Sequence, residues 1–129
     1  LIDDSYNANP TSMRASIASA KELADAENRR LVLVLGEMKE LGELAESEHR
    51  ALTAVLDAAA PKLVVGCGGL VRLALEHYQG SSVSAEDVEK ATQEVLAGVG
   101  KGDVVLVKGS RSVGTEAVAE ALRAARGSA

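Results

Sequence analysis

Five consecutive apolar residues, Leu31-Val32-Leu33-Val34-Leu35, limit what this chain can become more than any other stretch. A strand with one wet face alternates apolar and polar residues. An unbroken run of this length belongs instead to a strand covered on both faces, the habit of parallel sheets with helices above and below. Two further runs repeat the pattern, Lys62-Leu63-Val64-Val65 and Asp103-Val104-Val105-Leu106-Val107. Ile2 reads as the end of a first strand and residues 82–84 as a short one whose sense the sequence leaves open.

The intervening segments have helical spacing. Residues 11–26 place Met13, Ile17, Ala20, Leu23 and Ala24 on one face; residues 46–60 turn Leu52, Val55, Leu56 and Ala59 inward before Pro61. Residues 70–78 form a short helix, 85–99 a longer one, and 115–126 close the chain with Val118 and Leu122 in the apolar stripe. Ser84 is the expected N-cap of the 85–99 helix, with Asp87 completing an approximate capping box. Strand and helix alternate throughout, so the expected fold is α/β: a Rossmann-like, doubly wound, mostly parallel sheet of about five to six strands with helices on both faces. At 129 residues the chain is one domain, and with 2% aromatics its core must be built from Ala, Val and Leu.

Charge and cysteine content narrow the function. A net charge of −5 argues against a general binder of nucleic acid or anionic membrane. Cys67 is the single cysteine, which rules out an intrachain disulfide or a multi-cysteine zinc site and suits a reducing compartment. No apolar run is long enough to span a bilayer and no signal peptide is evident, so the expected location is cytoplasmic, without membrane insertion. The chain opens within a strand and without Met, as expected of a domain from a longer protein.

Each strand run is followed by a polar or glycine-rich turn, at residues 3–9, 36–42, 66–69 and 108–114. In a parallel sheet such turns gather on one rim, where open α/β sheets bind their ligands. In the first turn Asn9 is a good N-cap and Pro10 a good first helical residue. Asp3 and Asp4 beside Tyr6 and Asn7 are costly to hold together unless a ligand or cation uses them. Lys39 follows the second strand. Lys108 directly follows Val107 and should project from the rim, Gly109 lets backbone approach a ligand, Ser110 and Ser112 offer hydroxyls, and Arg111 offers a fork for carboxylate or phosphate.

Other chemistries find little support. No window fits a phosphate-binding P-loop, because Gly109 to Gly114 is followed by Thr115 without the lysine. Gly66-Cys67-Gly68-Gly69 lacks the third glycine of a dinucleotide fingerprint. His49, among Glu46, Glu48 and Arg50, reads as part of a solvated helix face. His77 ends a short helix, and two isolated histidines make no metal site.

Three segments carry a family resemblance: Asp4-Ser5-Tyr6-Asn7-Ala8-Asn9-Pro10, then Val34-Leu35-Gly36-Glu37-Met38-Lys39-Glu40-Leu41-Gly42 with Glu46 and His49 following, then Leu106-Val107-Lys108-Gly109-Ser110-Arg111-Ser112-Val113-Gly114. In this order and spacing they resemble the C-terminal domain of the Mur ligases, ATP-dependent amide ligases of peptidoglycan precursor synthesis. They look like the MurF type, which adds D-Ala-D-Ala to a UDP-N-acetylmuramoyl-tripeptide. The Asp-Asn-Pro-Arg and Gly-Lys-Gly-His-Glu stretches of the diamino-acid-adding relative are absent.

The resemblance implies that residues 1–129 are the lobe that closes on the nucleotide and binds the amino acid, packed on a central ATPase domain. ATP and Mg2+ would be bound mainly by that central domain, and a further N-terminal domain would take the UDP-sugar. Asp4, and after it Asp3, matches the residue that contacts the nucleotide ribose; Tyr6, Asn7 and Asn9 lie where the family lines the adenosine and the crevice between domains. Lys39 matches a position near the incoming amino acid and phosphate in a sister ligase, and is the candidate catalytic residue. Lys108, Ser110, Arg111 and Ser112 fall where the family binds the amino acid, here D-Ala-D-Ala. Alone, such a domain would have no ligase activity. The competing expectation is a non-catalytic Rossmann-like module that binds a nucleotide or a protein; measurable ATP affinity in the isolated domain would favour it.

Overall fold

A computed structural model describes residues 1–4, 8–109 and 114–127. Its five strands are β1 (Ile2–Asp4), β2 (Leu31–Gly36), β3 (Leu63–Cys67), β4 (Ser82–Ala85) and β5 (Val104–Lys108). They form one sheet in the order β1-β5-β2-β3-β4, and every described pairing is parallel. The helices are α1 (Pro10–Ala26), α2 (Ala45–Ala59), α3 (Arg72–Leu75), α4 (Val88–Gly98) and α5 (Glu116–Gly127), with single 3-10 turns ahead of α2 and α3.

Strand order dictates which helices share a face. From β1 the chain steps over the slot of β5 to β2 and on to β3 and β4, always in one direction. Right-handed crossovers therefore put α1, α2 and α3 on the same side. The return from β4 to β5 runs the other way and places α4 on the opposite side with α5. The alternating leucines and valines of β2 divide accordingly: Leu31, Leu33 and Leu35 pack with Met13, Ile17, Leu52 and Leu56, while Val32 and Val34 pack with Val95, Val118 and Leu122. Both faces are dry, as an unbroken apolar run requires.

Local chemistry sets most helix ends. Asn9 caps α1 through its Oδ1, which accepts the Ser12 N–H at 2.9 Å, and Ser12 Oγ accepts the Asn9 N–H in return at 3.1 Å. Asn28, at φ 54°, provides the left-handed turn after α1. At the N-terminal rim, Asp103 Oδ2 accepts from Lys62 Nζ at 2.6 Å and from the Gly100 N–H at 2.7 Å, tying the start of β5 to the start of β3. Burial pushes the Asp103 carboxyl up. The two hydrogen bonds and the charges of Lys62 and Arg30 outweigh that, holding it below its usual value.

Four expectations about the helices need correction. Ser84 and Ala85 belong to β4, because Ser84 pairs with Gly66 and Ala85 with Cys67; Asp87 is the N-cap of α4 and accepts the Lys90 N–H at 2.8 Å. The helix expected over 70–78 is a 3-10 turn over Gly69–Val71 followed by the single turn of α3. Leu23 is 40% exposed, because the buried stripe of α1 runs Met13, Ile17, Ala20, Ala24. His49 is fully buried, on the same side of α2 as Leu52 and Leu56.

Candidate functional site

The strand register brings the turns of interest together. Asp4 is opposite Lys108, Leu35 is opposite Lys108 on the other side, Gly36 is opposite Cys67, and Cys67 is opposite Ala85. Residues 4, 36, 67, 85 and 108 therefore line a single rim at the carboxyl ends of the strands. The helices that follow β1, β2 and β3 pack on one face of the sheet, and those that follow β4 and β5 pack on the other. Neighbouring strands whose exits diverge open a crevice between them. Such divergence occurs on both flanks of β5, and again between β3 and β4.

On the flank between β5 and β2 the exits nearly touch. A Cβ added at Gly109 would stand 3.0 Å from the Gly36 Cα and equally close to Cγ2 and Oγ1 of Thr115. Glycine is needed there for contact, not for backbone freedom. Thr115 is fully buried, and its Oγ1 has no hydrogen-bond partner among the described residues.

Lys108 departs from expectation. It does not project beyond the strand; it is the last residue of β5 and only 1% exposed. The ladder runs one residue further than the apolar run suggests because β5 has a neighbour on each side, and both Asp4 and Leu35 pair with this position. Asp3, one residue inside β1, is engaged by α5: Arg123 Nη2 lies 2.6 Å from Asp3 Oδ2. Asn9 is occupied as the α1 cap. Tyr6, Asn7, Ser110, Arg111 and Ser112 lie outside the described residues, between elements that bracket the same rim.

The arm after β2 is built from three successive side chains. Met38 turns into the core and is 1% exposed. Lys39 Nζ lies 3.3 Å from Glu37 Oε2, with the lysine side chain 46% exposed and the glutamate 18%. The Glu37 carboxylate rests on the bare Cα of Gly69, where a Cβ would collide with it. Gly69 is also at φ +60°, a conformation that side chains rarely adopt. Beside this contact, where β3 and β4 part, is a cleft of about 580 Å³ lined by Glu37, Gly68, Gly69, Arg72, Ser84 and Glu86. A more apolar hollow of about 410 Å³, lined by Leu1, Leu96, Val99 and Leu122 among others, lies by the start of β5, away from the rim.

Sequence reasoning missed His49. Its Nε2 accepts the Met38 N–H at 2.9 Å, and its Nδ1 lies 2.6 Å from the Ala45 carbonyl oxygen. The signal was present in the helical spacing of His49, Leu52, Leu56 and Ala59, but the charged residues on either side obscured it. Cys67 is buried at the end of β3; burial, and secondarily the charge of Asp87, pushes its thiol up to about 11. That makes it a poor nucleophile.

The Mur ligase, glutamate ligase domain family matches residues 1–111. This chain belongs to that family. Among curated relatives, the Mur ligase domain is 39% identical to the UDP-N-acetylmuramoyl-tripeptide–D-alanyl-D-alanine ligase of Mycobacterium tuberculosis (strain CDC 1551 / Oshkosh), over 95% of this chain and 28% of that protein. It is 35% identical to the enzyme of the same name from Bacillus subtilis (strain 168), over 95% of this chain and 27% of that one. The Mur ligase domain thus spans about a quarter of the length of these relatives. It superposes on the crystal structure of MurF ligase from Thermotoga maritima in complex with ADP with a TM-score of 0.70 at 32% identity, covering 91% of this chain and 26% of that one. On a MurF structure from Acinetobacter baumannii the TM-score is 0.74 at 29% identity, with 92% and 26% covered. The Rossmann-like fold of the Mur ligase domain is shared with these structures.

Proposed function

We propose that this domain is the closing lobe of a MurF-type ligase, which joins D-Ala-D-Ala to UDP-N-acetylmuramoyl-tripeptide during peptidoglycan precursor synthesis in the cytoplasm. The reading rests above all on the register that sets the exits of β1, β5 and β2 side by side. Those are the three exits whose sequences resemble the family's segments.

In this reaction ATP transfers its γ-phosphoryl group to the tripeptide carboxylate, giving an acyl phosphate and ADP. The dipeptide amine attacks the acyl carbon, a tetrahedral intermediate forms, the C–O bond to phosphate breaks, and the amine's proton leaves with the base that accepts it. The contribution of this lobe is mainly orientation, worth several kcal/mol when an amine and an acyl group are held in register. Arg111, with Ser110 and Ser112 next to it in sequence, would bind the dipeptide carboxylate by charge-assisted hydrogen bonds, while Lys108, buried at the end of β5, is not placed to reach it. Asp4 would take the nucleotide ribose, with Asp3 behind it held by Arg123; Tyr6, Asn7 and Asn9 would line the adenosine side of the crevice. Lys39 on the β2 exit would approach the phosphate and the incoming amine.

Among the described residues no three His, Cys, Asp or Glu side chains are grouped to hold a metal ion. Magnesium would be bound mainly with the phosphates of ATP on the central domain. Closure of this lobe on that domain would be a hinge movement. No helix among the described residues is long and apolar enough to cross a membrane.

Steady-state kinetics of the full-length protein test the reading. Arg111→Ala should raise the dipeptide KM by roughly 10- to 100-fold, the loss of one charged hydrogen-bonding group, and Asp4→Ala should raise the KM for ATP. Unchanged constants in both variants would remove the site assignment. The isolated domain should turn over no substrate; ligation by it would overturn the division of labour.

A further inference from the structure

We infer that His49 is a positioning residue that fixes the arm carrying Glu37 and Lys39, and through it the site for the incoming dipeptide. The inference rests on the ligase reading given above.

Both ring nitrogens have dictated roles. A backbone amide can only donate, so the Nε2 that receives the Met38 N–H at 2.9 Å carries no proton. A carbonyl can only accept, so the Nδ1 facing the Ala45 oxygen at 2.6 Å carries one. The neutral Nδ1–H tautomer alone satisfies both partners. A fully buried imidazole is costly unless both nitrogens are bonded, and here both are. An aliphatic side chain would fill the volume but leave the buried Met38 amide without an acceptor.

The bond matters because of what adjoins it. Residues 37–39 follow the end of β2 and lie outside any strand or helix, and Glu40 beyond them takes a left-handed turn at φ 61°. Met38 is therefore held twice, by its buried side chain and by its amide. That pins the arm while Glu37 and Lys39 remain paired at 3.3 Å next to the rim. Glu37 in turn is braced on Gly69, so the arm is stabilised from α2 on one side and from the β3 exit on the other. Releasing the α2 clamp should displace Glu37 and Lys39 together.

The test is kinetic analysis of full-length His49→Leu and His49→Gln, varying each substrate in turn, alongside thermal melts. His49→Leu should raise the dipeptide KM about five- to tenfold, the equivalent of one lost hydrogen bond, and leave the KM for ATP within about twofold. Gln, whose amide oxygen can accept the Met38 N–H, should restore most of that KM even if its melting temperature falls as far as that of Leu. An unaltered dipeptide KM in folded His49→Leu, or an equal rise with Gln, would overturn the role. The wild-type enzyme gives a readout that needs no variant: imidazole 15N spectra should report a single Nδ1–H tautomer, and an Nε2–H ring would overturn the proposal. A wild-type protein that folds with that tautomer yet consumes no ATP when both UDP-N-acetylmuramoyl-tripeptide and D-Ala-D-Ala are present would reject the ligase reading instead.

Discussion

Gly109 and Gly36 meet backbone to backbone, since a Cβ at residue 109 would stand 3.0 Å from the Gly36 Cα. A side chain at residue 109 would have to push into the Gly36 backbone and into Thr115. Gly109→Ala should therefore force the two exits apart at a cost of about 1–3 kcal/mol, typical of overpacking against a structure that cannot yield. Chemical denaturation would measure it. In the full-length enzyme kcat/KM for the dipeptide should fall as well.

Gly69→Ala tests the opposite side of the β2 exit. Left-handed backbone costs about 1–2 kcal/mol for a residue with a Cβ, and the new methyl would displace the Glu37 carboxylate. The expected outcome is a lower denaturation midpoint together with loss of the Glu37–Lys39 pair. A crystal structure or side-chain NMR of the variant would show it.

The Lys62–Asp103 pair stabilises the N-terminal rim, away from any site residue. Asp103→Ala should destabilise the domain by about 1.5–3 kcal/mol. The folded carboxyl titrates below its ordinary 3.8. Its contribution is thus complete above about that pH and is lost as the pH falls through the folded value, where the native state finally takes up the proton. Stability measured from pH 6 downward should decline more steeply in the parent than in Asp103→Ala.

Cys67 should resist alkylation by iodoacetamide at neutral pH and react once the chain is unfolded. Its thiol, raised from 9.0 to about 11, stays protonated and buried in the native state. Above pH 9 the unfolded chain loses this proton first, so the thiol's contribution to stability should diminish as pH rises toward 11.

The strands were legible in the sequence wherever the apolar runs were unbroken, because only two-sided burial calls for Leu31 to Leu35 or Val104 to Val107. The rim followed from parallel connectivity. What escaped was set by partners distant in sequence. Ser84 looks like a cap, but Gly66 draws it into the ladder. Lys108 looks like a loop lysine, but β1 and β2 each offer it a neighbour. His49 looks solvated among Glu46, Glu48 and Arg50, and only the facing amide of Met38 accounts for an imidazole at a core position. Strand order was not legible either, since it depends on which apolar faces find each other. The resemblance of the turn sequences proposes site positions that the described geometry alone would not single out.

Strand order also bears on how the domain is made. β1 has β5 as its sole neighbour among the described strands, and β5 is the last of the five to leave the ribosome. Residues 2–4 must therefore wait, through the synthesis of about a hundred residues, for the segment that anchors them. Contacts so remote in sequence slow folding. They also leave a strand edge open to wrong partners in the meantime. Of all the rim, the stretch ending in Asp4 should be the last to become native.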